Sequence, residues 1–575
     1  MKKRRFLPVG QEDFKEIIEN NGYYVDKTLL IKKLLDVRGK VTLFTRPRRF
    51  GKTLGISMLQ YFFENTGINQ RALFENLAIL KEEDICEKYM GQYPVIRLSL
   101  KSAKQESFSY AFAAMKQTIA EEFRRHEKEV KAYEFEKDRI QRILNAQGEG
   151  QDYLTSLQFL SQILYHQYGK RVIVLLDEYD VPLENAYFHG YYDKMVNFIR
   201  SLFESVLKTN SCLEFAVITG CLRISKEHPA GIPLCPEKMG KQVKSIFTGL
   251  NNLRIISIMD KAYEEYFGFT QEETKQILDY YGLKSHMSDI REWYDGYLFG
   301  EQEIYNPWSV LSYISDLLEN EYAKPKPYWS NTSSNDIIRH LIEGADLQTR
   351  SKVESLIAGD TIESVVHEDI TYADIEESEE NLWNFLYFTG YLKKVSERSV
   401  GDQRFIRMQV PNVEINYIYK SKVSEWMKEK IQQEDLSQLY DALLSGNEVD
   451  LQDQLGRQLR ESISFYDYKE AFYHGFLLGL LKQLDEYLIE SNREAGDGRL
   501  DILLRSLDVR KPVVIVELKQ SGVFQDMETK ATEALNQIQD KEYYRELQQE
   551  GYENIICYGI AFFKKNCRVQ VKRID

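Results

Sequence analysis

Between Val41 and Phe62 a short apolar segment runs into Gly51-Lys52-Thr53 and then into a helical pattern. Val41-Thr42-Leu43-Phe44-Thr45 is too short for a helix and reads as a strand. Leu54, Met58, Leu59 and Phe62 follow at helical spacing. Strand, loop, Gly-Lys-Thr and helix form a phosphate-binding arrangement, which commits the front of the chain to an α/β layout with a parallel sheet. The helix N-terminus and the loop amides would hold an anion. Lys52 would reach the β and γ phosphates of a nucleotide, with the Thr53 hydroxyl on its magnesium. Arg49, Phe50 and Gly51 complete the stretch expected to line that ligand. The position six residues before the lysine, usually glycine to ease the entry turn, is Arg46.

A second acid is required, and one is present. Arg171-Val172-Ile173-Val174-Leu175-Leu176 is an apolar strand that ends in Asp177-Glu178. Asp177 would take the magnesium shell, and Glu178 would polarise the attacking water. Alone, this stretch reads equally as a buried strand capped by solvated acids; with Gly-Lys-Thr it reads as half of an ATP site. A third strand, Phe215 to Gly220, ends at Thr219, where a sensor of the γ phosphate would sit. Arg223 follows as a phosphate contact. Ordinary strand-end residues explain Thr219 and Arg223 equally well.

The last quarter holds a separate chemistry. Val513-Val514-Ile515-Val516-Glu517-Leu518-Lys519 reads as a buried strand, so Glu517 and Lys519 share a face. Arg499 to Arg505 reads as another strand and carries Asp501. If the two strands pair as a hairpin, Asp501 and Glu517 converge on one hard cation, with Lys519 beside it to orient water. Glu-x-Lys on a strand is, by itself, more often a same-face ion pair. Upstream, Lys469 to Leu481 reads as a helix with Glu470 at its entrance. Downstream, Gln537 lies in a further helical segment, Ala534-Leu535-Asn536-Gln537-Ile538.

Helix, strand, strand, helix with Glu, Asp, Glu-x-Lys and Gln resembles the PD-(D/E)XK nuclease superfamily over roughly residues 440 to 570. The resemblance is carried also by Phe472-Tyr473-His474-Gly475-Phe476, Ser491-Asn492-Arg493-Glu494 and Gly496-Asp497-Gly498-Arg499. Arg46-Pro47-Arg48-Arg49-Phe50-Gly51-Lys52-Thr53 and Tyr24-Val25-Asp26-Lys27-Thr28 are similar to the AAA-ATPase-like family, as are Trp293 to Tyr297 and Tyr305 to Ser309. The resemblance implies ATP and magnesium as cofactors. It assigns catalysis to Glu178, Asp501, Glu517 and Lys519, with Glu470 and Gln537 in support. It places metal on Thr53, Asp177, Asp501 and Glu517.

At 575 residues the chain has room for several cores, and 43% apolar with 13% aromatic residues argue against extended disorder. No apolar run approaches a membrane span, and the basic Met1 to Arg5 lacks the apolar stretch of a secretory signal. Six cysteines without Cys-x-x-Cys spacing indicate neither zinc nor a disulfide framework, so a reduced, cytoplasmic protein is expected. A net charge of −14 does not exclude nucleic acid, which needs only a local basic groove. Lys564, Lys565, Arg568, Lys572 and Arg573 are candidates for one, or else a solvated terminal strand.

Residues 104 to 168 read as helices with core contacts at Leu154, Leu157, Leu160, Ile163 and Leu164. Asp374 to Glu380 reads as a solvated segment. His228 to Lys244 carries three of the twelve prolines and reads as an exposed loop near the nucleotide site. Three parts are expected: an ATPase domain over 1–285, a mostly helical connector over 286–440, and a restriction-endonuclease-like α/β domain over 441–575. The expected function is an ATP- and magnesium-dependent nuclease acting on DNA rather than RNA, in bacterial defence or mobile-DNA processing, with homo-oligomers in scope. The alternatives are a nucleotide-switched nucleic-acid scaffold and a regulatory ATPase without nuclease activity.

Overall fold

The computed structural model describes all residues except 1–3, 209, 225–245, 248–249, 331–337, 339–345, 376, 434, 462–469, 483, 485, 496–497 and 575. Side chains at 347, 424, 427–433, 461, 470–471, 492–495 and 498–499 also lie outside the described set. The proline-bearing loop at 228–244 is outside it too. Two compact units emerge: residues 1–332 with 362–416, and residues 333–361 with 417–575.

The first unit is built on five parallel strands, β1 (Val41–Thr45), β2 (Val95–Ser99), β3 (Val172–Asp177), β4 (Leu213–Gly220) and β5 (Leu253–Ile256), in the order β2-β3-β4-β1-β5. All five residues of β1 and all six of β3 are buried, as strands covered on both faces require. Every pair in this sheet is parallel, so the C-terminal ends of its strands share one edge. Helix α1 (Lys52–Phe63) leaves the loop after β1 and packs on β2, β3 and β4. Helix α2 (Val181–Phe188) follows β3. The long insertion between β2 and β3 is helical, and its Leu157, Leu160, Ile163 and Leu164 are fully buried.

Two small antiparallel sheets complete this unit. One joins β6 (Phe269–Thr270), β7 (Tyr297–Phe299) and β8 (Gln302–Tyr305). The other joins β9 (Ile362–Val365), β10 (Lys393–Val400) and β11 (Gln403–Gln409). Helix α3 (Pro307–Glu319) starts at Asn306, whose side chain caps the Trp308 and Ser309 amides. Helix α4 (Val413–Gln433) contains the boundary between the units. The acidic run at 374–380 departs from the expected solvated segment at its start. Asp374 is buried and accepts hydrogen bonds from the Thr371 amide and hydroxyl, so its charge serves a local cap.

The second unit holds a mixed sheet in the order β12 (Leu488–Ala495), β13 (Gly498–Arg505), β14 (Val513–Gln520), β15 (Ile555–Phe563) and β16 (Asn566–Ile574). Only β14 and β15 run parallel. Their crossover is helix α6 (Met527–Asp540), while α5 (Glu470–Leu481) precedes β12. Alternation along the strands separates two cores. Val514, Val516, Leu518, Tyr558 and Ile560 pack with α5 residues such as Phe476 and Leu480. Val513, Ile515, Ile555 and Cys557 pack with Leu535 and Ile538 of α6. Among the described residues no helix is long and apolar enough to cross a membrane, and Cys86, Cys212, Cys221, Cys557 and Cys567 are free and buried.

Candidate nucleotide and nuclease sites

In the first unit the loop after β1 turns through two left-handed residues, Arg49 (φ 67°) and Gly51 (φ 80°). Gly51 caps α1, and a Cβ there would meet open space, so its requirement is conformational rather than steric. Lys52 opens α1 and is buried. Its ammonium donates to the carbonyls of Arg46 (3.0 Å) and Pro47 (2.9 Å) and lies 3.7 Å from the Cys221 sulfur. Thr53 follows, half-buried. Phe50 is fully buried between Tyr297 and Phe299, so only its backbone is offered to the loop. Arg49 lays its guanidinium 3.8 Å from the centroid of a Trp308 ring, a cation–π contact.

Arg46 explains its own departure from the glycine pattern. Its φ is not left-handed. Its side chain turns away from the loop into the core, donating to the carbonyls of Thr45 (2.9 Å), Ile256 (3.1 Å) and Tyr263 (3.2 Å). The guanidinium also stands 5.4 Å from the Phe267 ring and 5.2 Å from the Phe299 ring. Burial pushes its pKa down to about 9, which leaves it charged at neutral pH.

Asp177 and Thr219 stand at the ends of β3 and β4, with Asp177 buried and its Oδ1 accepting the Thr219 hydroxyl. The other carboxylate oxygen, Oδ2, is buried and finds no hydrogen-bond partner among the described residues. A buried anionic oxygen without a donor is a costly group unless a cation is offered to it, so the residues present fit a hard divalent ion. Glu178 follows in a left-handed backbone conformation, φ 51°, uncommon for a residue that carries a Cβ. Burial, with Asp177 adding to it, raises the Glu178 pKa, which makes its carboxylate a stronger base. Arg223 is ion-paired with Asp369 at 2.7 Å.

Two residues that the motif reading passed over hold this edge together. Asp180 is buried and accepts the amides of Cys221 (2.7 Å) and Leu222 (3.1 Å), fixing the chain as it leaves β4. Arg48 pairs with Glu184 of α2, tying the phosphate loop to the helix after β3. Spacing alone gave no sign of either, because their partners lie in distant segments.

In the second unit β13 and β14 pair antiparallel through Ile502–Val516, which sets Asp501 across from Glu517. The Asp501 carboxylate accepts the Leu518 amide at 2.8 Å. Glu517 is 2% exposed in the interior of the sheet, and Gln537 of α6 donates to its carboxylate. The Lys519 ammonium lies 3.7 Å from the same carboxylate. Asp501, Glu517, Lys519 and Gln537 are thus brought together. Glu470 begins α5, and its side chain lies outside the described residues. Asp501 and Glu517 offer anionic oxygen donors, a set that fits magnesium.

His474 of α5 was legible only as part of a phrase. Its Nε2 lies 3.1 Å from the Asp501 carbonyl and 3.2 Å from the Ser491 hydroxyl, joining helix, β12 and β13. Tyr543, buried just past α6, hydrogen-bonds Gln537; burial raises its pKa, with the charges of Glu517 and Asp501 adding to the rise. The terminal cations take internal partners: Lys565 with Glu354 (2.9 Å), Arg568 with Glu528 (3.7 Å), and Arg573 with the Ser445 carbonyl.

The comparisons agree with this division of chemistry. Residues 8–228 match the family model described as a predicted AAA-ATPase. Residues 468–572 match that of the PD-(D/E)XK nuclease superfamily. A protein of Azotobacter chroococcum mcd 1, described as an uncharacterized protein in the vnfD 5' region, is 25% identical over 583 residues. That match covers 97% of this chain and 96% of the relative. The chain carries an AAA-ATPase-like domain over 8–228 and a PD-(D/E)XK nuclease superfamily domain over 468–572.

Proposed function

We propose that the protein binds and hydrolyses ATP at the end of its parallel sheet and cleaves phosphodiester bonds of DNA at the β13–β14 pair. Within the 1–285 part, the amides of the loop at Arg49 to Gly51 and the start of α1 cradle the phosphates. Lys52 exchanges its two loop carbonyls for phosphate oxygens, and Thr53 and Asp177 hold magnesium. Thr219 keeps the Asp177 carboxylate turned toward that position. Glu178, with its raised proton affinity, takes the proton of the attacking water. Arg49 and Arg223 supply cations to the phosphate chain. The 286–440 part connects this site to the 441–575 part.

At the nuclease site Asp501 and Glu517 hold magnesium, with Glu470 as an outer carboxylate. A magnesium ion held there by Asp501 and Glu517 would neutralise phosphate charge and activate a water. Lys519 places the nucleophile and stabilises charge on the phosphate, while Gln537 fixes the Glu517 rotamer. The observation that carries this reading is the convergence of Asp501, Glu517, Lys519 and Gln537 from two strands and a helix. A retired site has no reason to keep all four together. The setting is bacterial and cytoplasmic, in defence or the handling of mobile DNA, and ATP-driven assembly of several copies is consistent with it.

The test is incubation of the purified protein with plasmid, linear and single-stranded DNA, with and without magnesium and ATP. Magnesium-dependent cutting supports the reading. Binding of DNA with no cutting in any condition replaces it with a nucleotide-switched scaffold.

A further inference from the structure

The sheet face that carries Glu517 and Lys519 continues past them. Side chains recur on one face at every second position, so Ser521 is next after Lys519. On the parallel neighbour, Gly559 pairs with Glu517 and Ala561 with Lys519. The Ser521 amide continues this ladder to the Phe562 carbonyl at 2.8 Å, which puts Phe563 beside it on the same face. Phe563 is therefore about 13 Å from Glu517 along the strand direction.

Phe524, on the loop that leaves β14, sets its ring 6.4 Å from Phe563 at 76°. Phe524 is 49% exposed, and its neighbour Val523 is 47% exposed. The Lys564 ammonium lies 5.5 Å from the centroid of the Phe563 ring. Acids are near as well. Glu528 is occupied by Gln570 (2.6 Å) and Arg568 (3.7 Å), whereas Asp526 is exposed on the same loop. The base of this patch is fixed, since Phe563 packs partly against Met527, Ala531 and Ala561.

An exposed aromatic edge beside a cation, next to a site built for phosphodiesters, matches one ligand chemistry. Aromatic rings stack on any base, and only an unpaired base exposes its π face. Lys519 and Lys564 flank the patch with charge of the sign a phosphate backbone needs. We propose that Phe524, Phe563 and Lys564 form a stacking platform for an unpaired nucleotide. The strand delivered to Asp501 and Glu517 is then single-stranded or frayed. This deepens, and rests on, the nuclease reading above.

The experiment measures binding of the full-length protein to a fluorescent single-stranded oligonucleotide and to the same sequence as duplex, in calcium. Because Phe524 is half-exposed, Phe524→Ala leaves the core intact. It should weaken single-strand binding about tenfold and duplex binding less than about twofold, with Phe524→Trp restoring the former. Equal loss on both ligands, no loss on single strand, or wild-type protein that binds neither overturns the platform. A parallel arm follows magnesium-dependent cleavage by wild type and Asp501→Asn. Phe524-dependent single-strand binding without any cleavage keeps the platform and removes the nuclease reading. Cleavage that depends on Asp501, with binding indifferent to Phe524, does the reverse.

Discussion

Arg46 occupies the position where a phosphate-binding loop ordinarily carries glycine, yet its side chain serves the core rather than the ligand. Besides the carbonyl of its neighbour Thr45, it satisfies those of Ile256 and Tyr263, which lie more than 200 residues away in sequence. Arg46→Gly, which restores the usual pattern, should therefore destabilise the first unit by about 3 kcal/mol or more, because charged donors to buried carbonyls are lost. Thermal unfolding checks this, and an unchanged transition would show that the guanidinium contributes nothing. Glu414, at the start of α4, makes a second residue-scale case. It is fully buried and accepts the Ser309 hydroxyl and the Trp329 amide. Burial raises its pKa to about 7. A carboxyl whose folded pKa exceeds its unfolded one favours the fold most below about pH 4.5 and loses that advantage as pH rises through 7. The gap is worth about 3 kcal/mol. Glu414→Gln, which cannot ionise, should gain stability relative to wild type as pH rises from 5 to 8. A difference between the two melting temperatures that stays constant over that range would contradict this assignment.

At the scale of elements, the proposed nuclease site depends on how closely α6 approaches the sheet. Gly559 lies beside Glu517, and a Cβ there would fall 2.2 Å from the Ala531 carbonyl and 2.5 Å from the Leu535 amide. Those are helix backbone atoms, so the helix itself would have to lift. Gly559→Ala should cost about 1–3 kcal/mol and pull Gln537 away from Glu517, lowering cleavage although every acid and Lys519 is retained. Wild-type stability together with wild-type cleavage would show that α6 tolerates the added methyl. The contrast between what was legible and what was not follows the same lines. Strands β1, β3 and β14 announced themselves as short apolar runs, and period-two alternation was enough to put Glu517 and Lys519 on one face. The hairpin expectation for Asp501 held because β13 and β14 are sequential neighbours. Tyr543, Asp180, the Arg46 tie and the contacts of His474 were invisible, since each acts through a partner set by tertiary packing rather than by spacing. The acidic run at Asp374 misled because local hydrogen bonding can bury a carboxylate that composition alone assigns to solvent.

For the whole molecule, the ATPase and nuclease motifs belong to different compact units. Any effect of ATP on cutting must then act through a change of conformation or of assembly state. Lys52→Ala should abolish tight ATP binding, because the phosphates lose a charge-assisted partner, and should reduce cutting with the nuclease unit still folded. Equal cutting by mutant and wild type at every ATP concentration would show that the units work independently. The central claim is that the β13–β14 pair is a metal-dependent nuclease. Its most direct test is cleavage of DNA by purified Asp501→Asn in magnesium, with binding followed in calcium. The account predicts that cleavage falls by at least about a hundredfold while DNA binding persists or tightens, since one anionic metal donor is gone and repulsion of phosphate is relieved. Cleavage at the wild-type rate by Asp501→Asn would contradict it.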